Sequence, residues 1–291
     1  MLSADEARHL DRLMLAASAL AAPASSGPRH ARVRGGGLEF RDYRHYQPGD
    51  DLRSIDWTVD ARLRQLVVRV FSAEGRLQLH LLVDISRSMT AGSPDKLQCA
   101  KKLAAALCYI AVARRDAVGV ATFDDTVRSY VAPAAGRSQI FKVFDTLRSA
   151  AAGGRSSLNK ALFDYGAAAR GPGLVVVMSD FFQAEGAFDG LRYLIYRGLT
   201  PAIVQIVADE ELQPDIADEA ELVDLEEPGG DPLVVDASAI AVYREQFARA
   251  SAELEQFCRV HGLAHARLVS SAPFQTLVAT CRQAGLVDVH A

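Results

Sequence analysis

Oxygen-bearing side chains follow the stretch LQLHLLVDISRSM, residues 77–89, at the point where its apolar run ends. Asp84 ends the run, and Ser86 and Ser88 place hydroxyls two and four residues beyond it. Carboxylate and hydroxyl oxygens are hard ligands that suit Mg²⁺, Ca²⁺ or Mn²⁺. A short turn that carries them at alternate positions can direct all three at one cation. This stretch is therefore a candidate metal site.

Two further segments could complete such a site, because one turn cannot fill an octahedral shell. Ser156 lies in GGRSSLNKAL, between a glycine turn and a predicted helix, and Asp180 ends a second apolar run, VVVMSD. The neighbouring Ser157 is an alternative donor to Ser156. In the competing interpretation these side chains cap helices, because Ser and Asp between a strand and a helix usually accept hydrogen bonds from free backbone N–H groups.

The periodicity of residues 77–284 predicts the elements that would position these side chains. Apolar runs alternate with amphipathic stretches, which predicts an α/β fold with a doubly wound, mostly parallel sheet and helices on both faces. Ligands bind such sheets at the carboxyl ends of the strands, where Asp84 and Asp180 lie. The predicted strands are 77–83, 117–123, 126–131, 173–179, 201–207 and 264–269, and the predicted helices are 94–114, 137–150, 157–169, 186–197, 238–261 and 274–284.

Local signals refine this pattern at two places. Ser93 is predicted to cap the first long helix, with Pro94 as its first residue. Residues 220–237 are predicted to form a β-hairpin that turns at Gly229 and Gly230. The strand and helix after the hairpin are expected to extend the same sheet.

The N-terminal part of the chain is predicted to be an extension of this domain. Residues 3–20 are predicted to be an amphipathic helix, either a docking arm or a helix packed on its own domain, and residues 22–37 a linker rich in Gly, Pro and Ser. Residues 65–74 are predicted to be a strand from their β-branched content. We therefore divide the chain into an N-terminal helix, linker and charge-dense segment over 1–74, and an α/β domain with a C-terminal hairpin and helical extension over 75–285.

Composition and charge exclude several classes of protein. With 49% hydrophobic and 23% charged residues the chain is typical of a folded globular protein, and its net charge of -4 offers no basic field for nucleic acid. No apolar run approaches the ~20 residues of a membrane-spanning helix, so we expect a cytoplasmic protein without membrane insertion. The four cysteines show no C-x-x-C spacing and are expected to be reduced core thiols.

The segment GLEFRDYRHYQPGDDLRSIDWTVDAR, residues 37–62, alternates charges with aromatic rings. One interpretation is a salt-bridged clasp that holds the N-terminal segment on the α/β domain, and the other is a partner-binding surface. The clasp is favoured because internally paired charges cost less to bury than unpaired ones. The residues concerned are Arg41, Tyr43, Arg44, Asp50, Arg53, Asp56, Trp57 and Arg62.

Three of the stretches above, DISRSM, GGRSSLNKAL and VVVMSDFF, resemble the three loops of a von Willebrand factor A domain. The metal-ion-dependent adhesion site of that domain has the form D-x-S-x-S, then Thr, then Asp. The resemblance implies that a cation, Mg²⁺ with Ca²⁺ or Mn²⁺ as alternatives, binds Asp84, Ser86, Ser88, Ser156 and Asp180. Ser156 stands where the family has threonine, which keeps the hydroxyl but loses the methyl group that stiffens the rotamer.

The charge-dense segment, together with VRVFSAEG downstream, resembles the signature of the bacterial family catalogued as domain of unknown function fifty-eight. Its members carry this signature just before a von Willebrand A-like domain, and the resemblance covers about residues 30–285. It implies a partnership with a MoxR-type AAA+ ATPase. The implied function is that of a metal-dependent adaptor or co-chaperone whose protein clients offer an acidic residue.

The enzymatic alternative is a metal-dependent hydrolase or phosphatase that uses Asp84. Haloacid-dehalogenase phosphatases need a second acid two residues after their nucleophile, and Ser86 occupies that position. The motifs G-x-x-x-x-G-K-[ST] and G-x-S-x-G are both absent from the sequence. We interpret the acidic residues in 124–125 and 209–212 as solvated loop charges, with a second cation site as the alternative, and we expect no enzymatic activity.

Overall fold

The computed structural model groups the chain into two compact units, Met1–Pro23 with Leu77–Ala291, and Ala24–Arg76. The first 23 residues thus group with the larger unit, whereas the sequence division placed them with the charge-dense segment. The residues that the structure describes are 5–6, 10, 13–15, 39–46, 55, 57, 59, 66–72, 77–182, 184–214, 220–222, 233–235 and 237–289.

The larger unit is built on one six-stranded sheet with the order β11-β8-β7-β4-β5-β6. Neighbouring strands in it are parallel, except for the antiparallel pair β5 and β6. This confirms the predicted mostly parallel sheet. The strands in chain order are β1 (Leu13–Leu15), β2 (Glu39–His45), β3 (Val67–Ser72), β4 (Gln78–Asp84), β5 (Ala117–Phe123), β6 (Val127–Ala134), β7 (Gly173–Ser179), β8 (Leu199–Val207), β9 (Ala220–Leu222), β10 (Leu233–Val235), β11 (His265–Val269) and β12 (Val287–Val289).

Helices cover both faces of this sheet, as predicted. Leu81 and Val83 of β4 belong to a core that includes residues of α1, α2 and α7, whereas Leu82 belongs to a second core with residues of α3, α4 and α6. Because both faces are covered, the central strands are apolar at consecutive positions. The helices are α1 (Lys96–Ala113), α2 (Ser138–Ser149), α3 (Leu158–Ala168), α4 (Phe188–Tyr196), α5 (Asp209–Leu212), α6 (Ala237–His261) and α7 (Phe274–Gln283).

The start of α1 corrects the predicted cap. The Ser93–Pro94 peptide bond is cis, and Asp95 is the N-cap, with its side chain accepting a hydrogen bond from the backbone N–H of Gln98 at 2.6 Å. The prediction that Ser93 caps the helix and Pro94 begins it is therefore wrong. An aspartate cap satisfies one of the free N–H groups of the first turn and adds a favourable charge at the positive end of the helix.

The N-terminal segment departs from the predicted helix over 3–20. Leu10 is helical, but β1 follows it and pairs antiparallel with β12. Local periodicity cannot reveal this strand because its partner lies at the other end of the chain, and tertiary pairing overrides propensity. Leu10 is buried in the core of the larger unit, which favours packing on its own domain over a docking arm.

The C-terminal elements follow the prediction. The strands β9 and β10 pair antiparallel, as expected for the hairpin, whose turn at Gly229 and Gly230 lies outside the described residues. The strand β11 joins the large sheet beside β8. Among the described residues, no helix combines the length and the apolar character needed to cross a membrane.

Two smaller features complete the description. The smaller unit contains β3, which was predicted, paired antiparallel with β2, which was not. In the larger unit all four cysteines are free and buried, and burial raises the pKa of each thiol to about 12. This confirms that they are core thiols.

Candidate functional site

Asp84 is the last residue of β4 and is fully buried, with 0% of its surface exposed. Its Oδ1 accepts a hydrogen bond from the backbone N–H of Ser86 at 2.8 Å, and its Oδ2 accepts one from Ser179 Oγ at 2.6 Å. The strand β4 lies inside the sheet with a parallel neighbour on each side, which shields its end from water. The carboxylate is thereby held in one orientation at the carboxyl edge.

Ser86 and Ser88 continue from Asp84 into a short 3-10 helix, Arg87–Thr90. Their Oγ atoms lie 3.1 Å apart, so the two hydroxyls form a pair. Ser86 precedes the 3-10 helix, but its side chain makes no capping hydrogen bond. Capping therefore does not account for Ser86, and the ligand interpretation is favoured.

The loop that carries Ser156 is attached to the same edge through its backbone. The N–H of Arg87 donates to the carbonyl oxygen of Gly154 at 3.1 Å, and the N–H of Gly153 donates to that of Ile85 at 2.8 Å. These bonds hold the loop beside the Asp84 turn.

Both candidate hydroxyls of that loop, those of Ser156 and Ser157, are half-buried. Ser157 is the N-cap residue of α3, and its side chain makes no capping hydrogen bond. Its backbone N–H donates to the carbonyl oxygen of Asp124 at 3.2 Å, which ties the loop to the end of β5 as well. Both serines therefore stay candidates for the third hydroxyl donor.

The backbone of this loop depends on Gly154, which has a φ of +76° and where a Cβ would lie only 2.6 Å from Asp124 Oδ2. We expect Gly154→Ala to lower the free energy of unfolding by about 2–3 kcal/mol, because backbone strain and a steric clash add. Gly198→Ala is the matched control, since Gly198 has a φ of +78° and no atom within 4 Å of the added Cβ. Urea unfolding measures the stability of both variants. Equal losses of stability would contradict the close approach of Gly154 to Asp124.

Asp180 follows β7 and is 6% exposed. Its Oδ1 accepts a hydrogen bond from the backbone N–H of Phe182 at 3.2 Å, and its Oδ2 accepts one from Lys96 Nζ at 2.9 Å. The same ammonium group donates to Glu211 Oε1. Lys96 is completely buried at the first position of α1, so its charge is compensated entirely inside the protein.

Two acidic residues that were interpreted as solvated loop charges are structural instead, and that interpretation is wrong. Glu211 in α5 pairs with Lys96, and its Oε2 accepts a hydrogen bond from the backbone N–H of Ala208 at 2.8 Å. Asp124 is buried and accepts a hydrogen bond from Arg128 Nε at 2.7 Å. Burial alone would raise the pKa of Asp124, but hydrogen bonds from Arg128 and from the backbone N–H of Thr126, together with the charge of Arg128 and a contact with Asp125, outweigh burial and lower the pKa.

The charges that meet beside Asp84 do not cancel. Asp84, Asp180 and Glu211 contribute three carboxylates and Lys96 one ammonium group, which leaves two net negative charges when all four are ionised. Burial, and after it the charge of Asp180, raise the pKa of Asp84 to about 7, although hydrogen bonds from two serines oppose this. Burial alone would lower the pKa of Lys96, but its two carboxylate partners raise it. An ionised Asp84 therefore lacks a full counter-charge.

This donor set fits a hard divalent cation. In the described part of the chain, no group of three or more His, Cys, Asp or Glu side chains is arranged to hold a metal, so hydroxyls must complete any cation site here. Carboxylate and hydroxyl oxygens suit Mg²⁺, Ca²⁺ and Mn²⁺. The residues that could hold the cation are Asp84, Asp180, Ser86, Ser88 and either Ser156 or Ser157.

Sequence reasoning missed three residues of this edge, Ser179, Lys96 and Glu211. Lys96 could have been noticed in the sequence. A lysine in the first turn of a helix interacts unfavourably with the helix dipole, so its presence there needs another explanation. Ser179 and Glu211 could not have been noticed, since a serine at the end of a strand and a glutamate in an acidic stretch are both common.

An aromatic rim lies next to Asp180. Phe182 is 52% exposed and stacks on Tyr243 of α6, with the ring centroids 6.1 Å apart, and Tyr243 stacks on Phe247 at the same distance. Burial, and after it the carboxylates of Glu211 and Asp180, raise the pKa of Tyr243 to about 12. The rim is thus close to the charged cluster.

The proposed clasp falls mostly outside the described residues. Trp57 is 60% exposed, and nothing else is described of the clasp side chains, although three of these residues have their backbone in β2. The choice between a clasp and a partner-binding surface stays a prediction. The residues whose side chains are not described are Arg41, Tyr43, Arg44, Asp50, Arg53, Asp56 and Arg62.

The chain is similar to several known proteins. It is 30% identical over 228 residues to Uncharacterized protein Mb1516 of Mycobacterium bovis and to Uncharacterized protein Rv1480 of Mycobacterium tuberculosis, which covers 75% of this chain and 72% of each relative. Among solved structures it is similar to the conserved hypothetical protein BatB from Bacteroides thetaiotaomicron, with 15% identity, a TM-score of 0.44, and coverage of 71% of this chain and 96% of that one. An aerotolerance-related membrane protein from Bacteroides fragilis matches with 16% identity, a TM-score of 0.42, and coverage of 72% and 98%.

The family comparison covers most of the chain. Residues 42–256 match the family described as Protein of unknown function DUF58. Both the charge-dense segment from Asp42 onwards and the edge that carries Asp84 and Asp180 lie inside the matched range. This chain belongs to the DUF58 family.

Proposed function

We propose that this protein is a non-enzymatic binding module that holds a divalent cation, Mg²⁺ in the first instance, and uses it to bind an acidic residue of a partner protein. The observation that carries the proposal is the buried surplus of negative charge at Asp84 and Asp180 beside serine hydroxyls that cap no helix. The resemblance of the three loops to a von Willebrand factor A adhesion site supports the same function.

Each group of the edge has a part in this proposal. Asp84 and Asp180 balance the charge of the cation, and the serine hydroxyls bind it directly. Hydrogen bonds from Ser179 and Lys96 keep the two carboxylates in fixed orientations. A bound Mg²⁺ supplies an open coordination position that a carboxylate oxygen of the partner can fill.

The aromatic rim supports a protein as the partner. Phe182, Tyr243 and Phe247 offer apolar area next to Asp180, and buried aromatic side chains carry much of the binding energy in protein interfaces. The metal contact would then select an acidic residue, while the rim would bind the apolar side chains around it.

The partners we propose are a MoxR-type AAA+ ATPase and client proteins whose assembly or maturation it assists in the cytoplasm. This part of the proposal rests on the family resemblance, which implies such an association. An ATPase supplies the energy for remodelling, so the module itself needs only to bind.

A pull-down from native cytosol tests the proposal, with the full-length protein as bait in Mg²⁺, in EDTA, and as the variant Asp84→Ala/Ser86→Ala in Mg²⁺. Of these three samples, we expect mass spectrometry to identify a AAA+ ATPase or a client only in the first. Asp145→Ala/Ser149→Ala on the exposed face of α2 is the matched control and should behave like the wild type. Recovery of the same protein from all three samples would contradict a metal-dependent contact.

The proposal also predicts an absence of turnover. The purified protein in Mg²⁺ should hydrolyse neither ATP nor p-nitrophenyl phosphate above the level of the buffer, because Ser86 stands where a phosphatase places its general acid. Phosphate release measures this. Turnover that disappears in Asp84→Ala would overturn the non-enzymatic assignment and favour a hydrolase.

A further inference from the structure

The ammonium group of Lys96 places a positive charge at the carboxyl edge of the sheet. Its side chain has no exposed surface, and Nζ donates to both Asp180 and Glu211. Burying a lysine is costly unless its charge is paired. A lysine at the first position of α1 also opposes the helix dipole, so helix formation does not explain its presence.

Glu211 completes this pair without being oriented as a metal ligand. One of its carboxylate oxygens accepts from Lys96, and the other accepts from the backbone N–H of Ala208 at 2.8 Å. Its side chain is 18% exposed, so its charge is partly screened by water but still acts on its buried neighbours. Glu211 therefore acts on the edge through its charge.

Lys96 contacts the same carboxylate that would bind the cation. Because Asp180 Oδ2 accepts a hydrogen bond from the ammonium group at 2.9 Å, a cation at this edge meets a carboxylate whose charge is already partly neutralised. At the effective dielectric constant of about 20 that suits such sites, one unit charge a few ångströms from a divalent cation changes its affinity about tenfold or more.

We propose that Lys96 and Glu211 set the affinity of the cation site through its net charge, with Lys96 weakening cation binding and Glu211 strengthening it. The inference rests on the proposed function, because it presupposes a cation at Asp84 and Asp180. The consequence is that the loss of either charge alone should change the affinity of the site, whereas the loss of both should leave it nearly unchanged.

Substitutions that change one charge at a time separate this role from a structural one. Lys96→Met makes the cluster more negative by one charge and should bind Mg²⁺ about tenfold more tightly or more. Glu211→Gln makes it less negative by one and should bind about tenfold more weakly or worse. The double variant has the net charge of the wild type and should return to within about threefold of wild-type affinity.

Isothermal titration of Mg²⁺ into the metal-free, full-length protein measures these affinities at constant pH and ionic strength, with circular dichroism as the check on folding. Glu210→Gln is the matched control, because Glu210 is the exposed neighbour of Glu211 in the same short helix. Its affinity should stay within about twofold of the wild type, as expected for a solvent-screened charge.

The outcomes separate this inference from the proposed function. A wild-type protein that binds none of Mg²⁺, Mn²⁺ and Ca²⁺ would overturn the proposed function and the inference with it. If the wild type binds but Lys96→Met binds more weakly, or the double variant fails to regain affinity, the charge-setting role is wrong and the cation site stands. If Lys96→Met alone does not fold, the Mg²⁺ affinities of Glu211→Gln and of the double variant still test the charge-setting role.

Discussion

Asp84→Asn is expected to make the cation-free protein more stable than the wild type at pH 7, by about 2–4 kcal/mol. The folded state raises the pKa of Asp84 from 3.8 to about 7, mainly by burial. Between these two pH values the folded protein keeps a proton that the unfolded chain has lost. The contribution of Asp84 to stability is therefore complete below pH 3.8 and is lost as the pH rises through 7. A neutral asparagine avoids that loss.

The stability difference between Asp84→Asn and the wild type should thus be small at pH 4 and grow by about 1.4 kcal/mol per pH unit towards pH 7. Urea unfolding in EDTA across this range measures it. Asp124→Asn is the matched control at the end of the neighbouring strand. It should destabilise the protein, because Arg128 lowers the pKa of Asp124 in the folded state. A difference for Asp84→Asn that does not change with pH would refute the assigned cause.

The pH dependence must be measured as the difference in stability between Asp84→Asn and the wild type. A second buried group changes the stability with pH in the opposite direction. Burial lowers the pKa of His80, in the same strand, from 6.5 to about 4. Between these values the unfolded chain holds a proton that the folded protein lacks, so the contribution of His80 to stability rises with pH. The contributions of Asp84 and His80 oppose each other over much of this range, and the wild-type profile alone hides both.

Saturating Mg²⁺ should remove most of the difference in stability between the two proteins at pH 7. A ligand at 100 times its dissociation constant stabilises the folded state by about 2.7 kcal/mol. The wild type should gain this stability, whereas Asp84→Asn should gain little, because an amide cannot balance the charge of the cation. A similar gain in stability in both proteins would mean that the cation binds away from Asp84.

Lys96→Met is expected to destabilise the cation-free protein by about 3–5 kcal/mol. The substitution keeps a long side chain but leaves Asp180 and Glu211 without their shared counter-charge. Thermal and urea unfolding in EDTA measure the loss. Arg148→Met breaks an exposed pair with Asp145 and should change stability by less than about 1 kcal/mol.

Lys96→Met should also respond to cations more strongly than the wild type. Added Mg²⁺ should recover a large part of the lost stability, because the cation can take over as counter-charge in the cluster. Adding Glu211→Gln should recover part of it without any cation, since one of the unpaired charges is then removed. A loss that neither change relieves would point to a packing defect.

The fold was predictable from the sequence because its main signals are local. Apolar runs such as the one that ends at Asp84, alternating with amphipathic helices, are enough to predict a parallel sheet that is covered on both faces. The pairing of β1 with β12 was not predictable, because it joins opposite ends of the chain. The cap of α1 was missed because Ser93 and Asp95 are both good caps, and only the backbone decides between them.

The residues of the candidate site could be proposed from the sequence, whereas the residues that surround them could not. Asp84 and Asp180 stand out because each ends an apolar run. Lys96 and Glu211 are 115 residues apart and meet only because α1 and α5 both begin at the carboxyl edge of the sheet. Long-range ion pairs of this kind leave no spacing pattern, so the charge balance of the edge required the three-dimensional structure.

The most direct measurement is crystallographic. Crystals of the wild-type protein soaked in Mn²⁺ should give one strong anomalous difference peak within coordination distance of the Asp84 and Asp180 carboxylates and the Ser86 and Ser88 hydroxyls. Crystals of Asp84→Asn treated in the same way should lack it. A wild-type map without a peak at this edge, or with the only ordered Mn²⁺ elsewhere, would contradict the cation site.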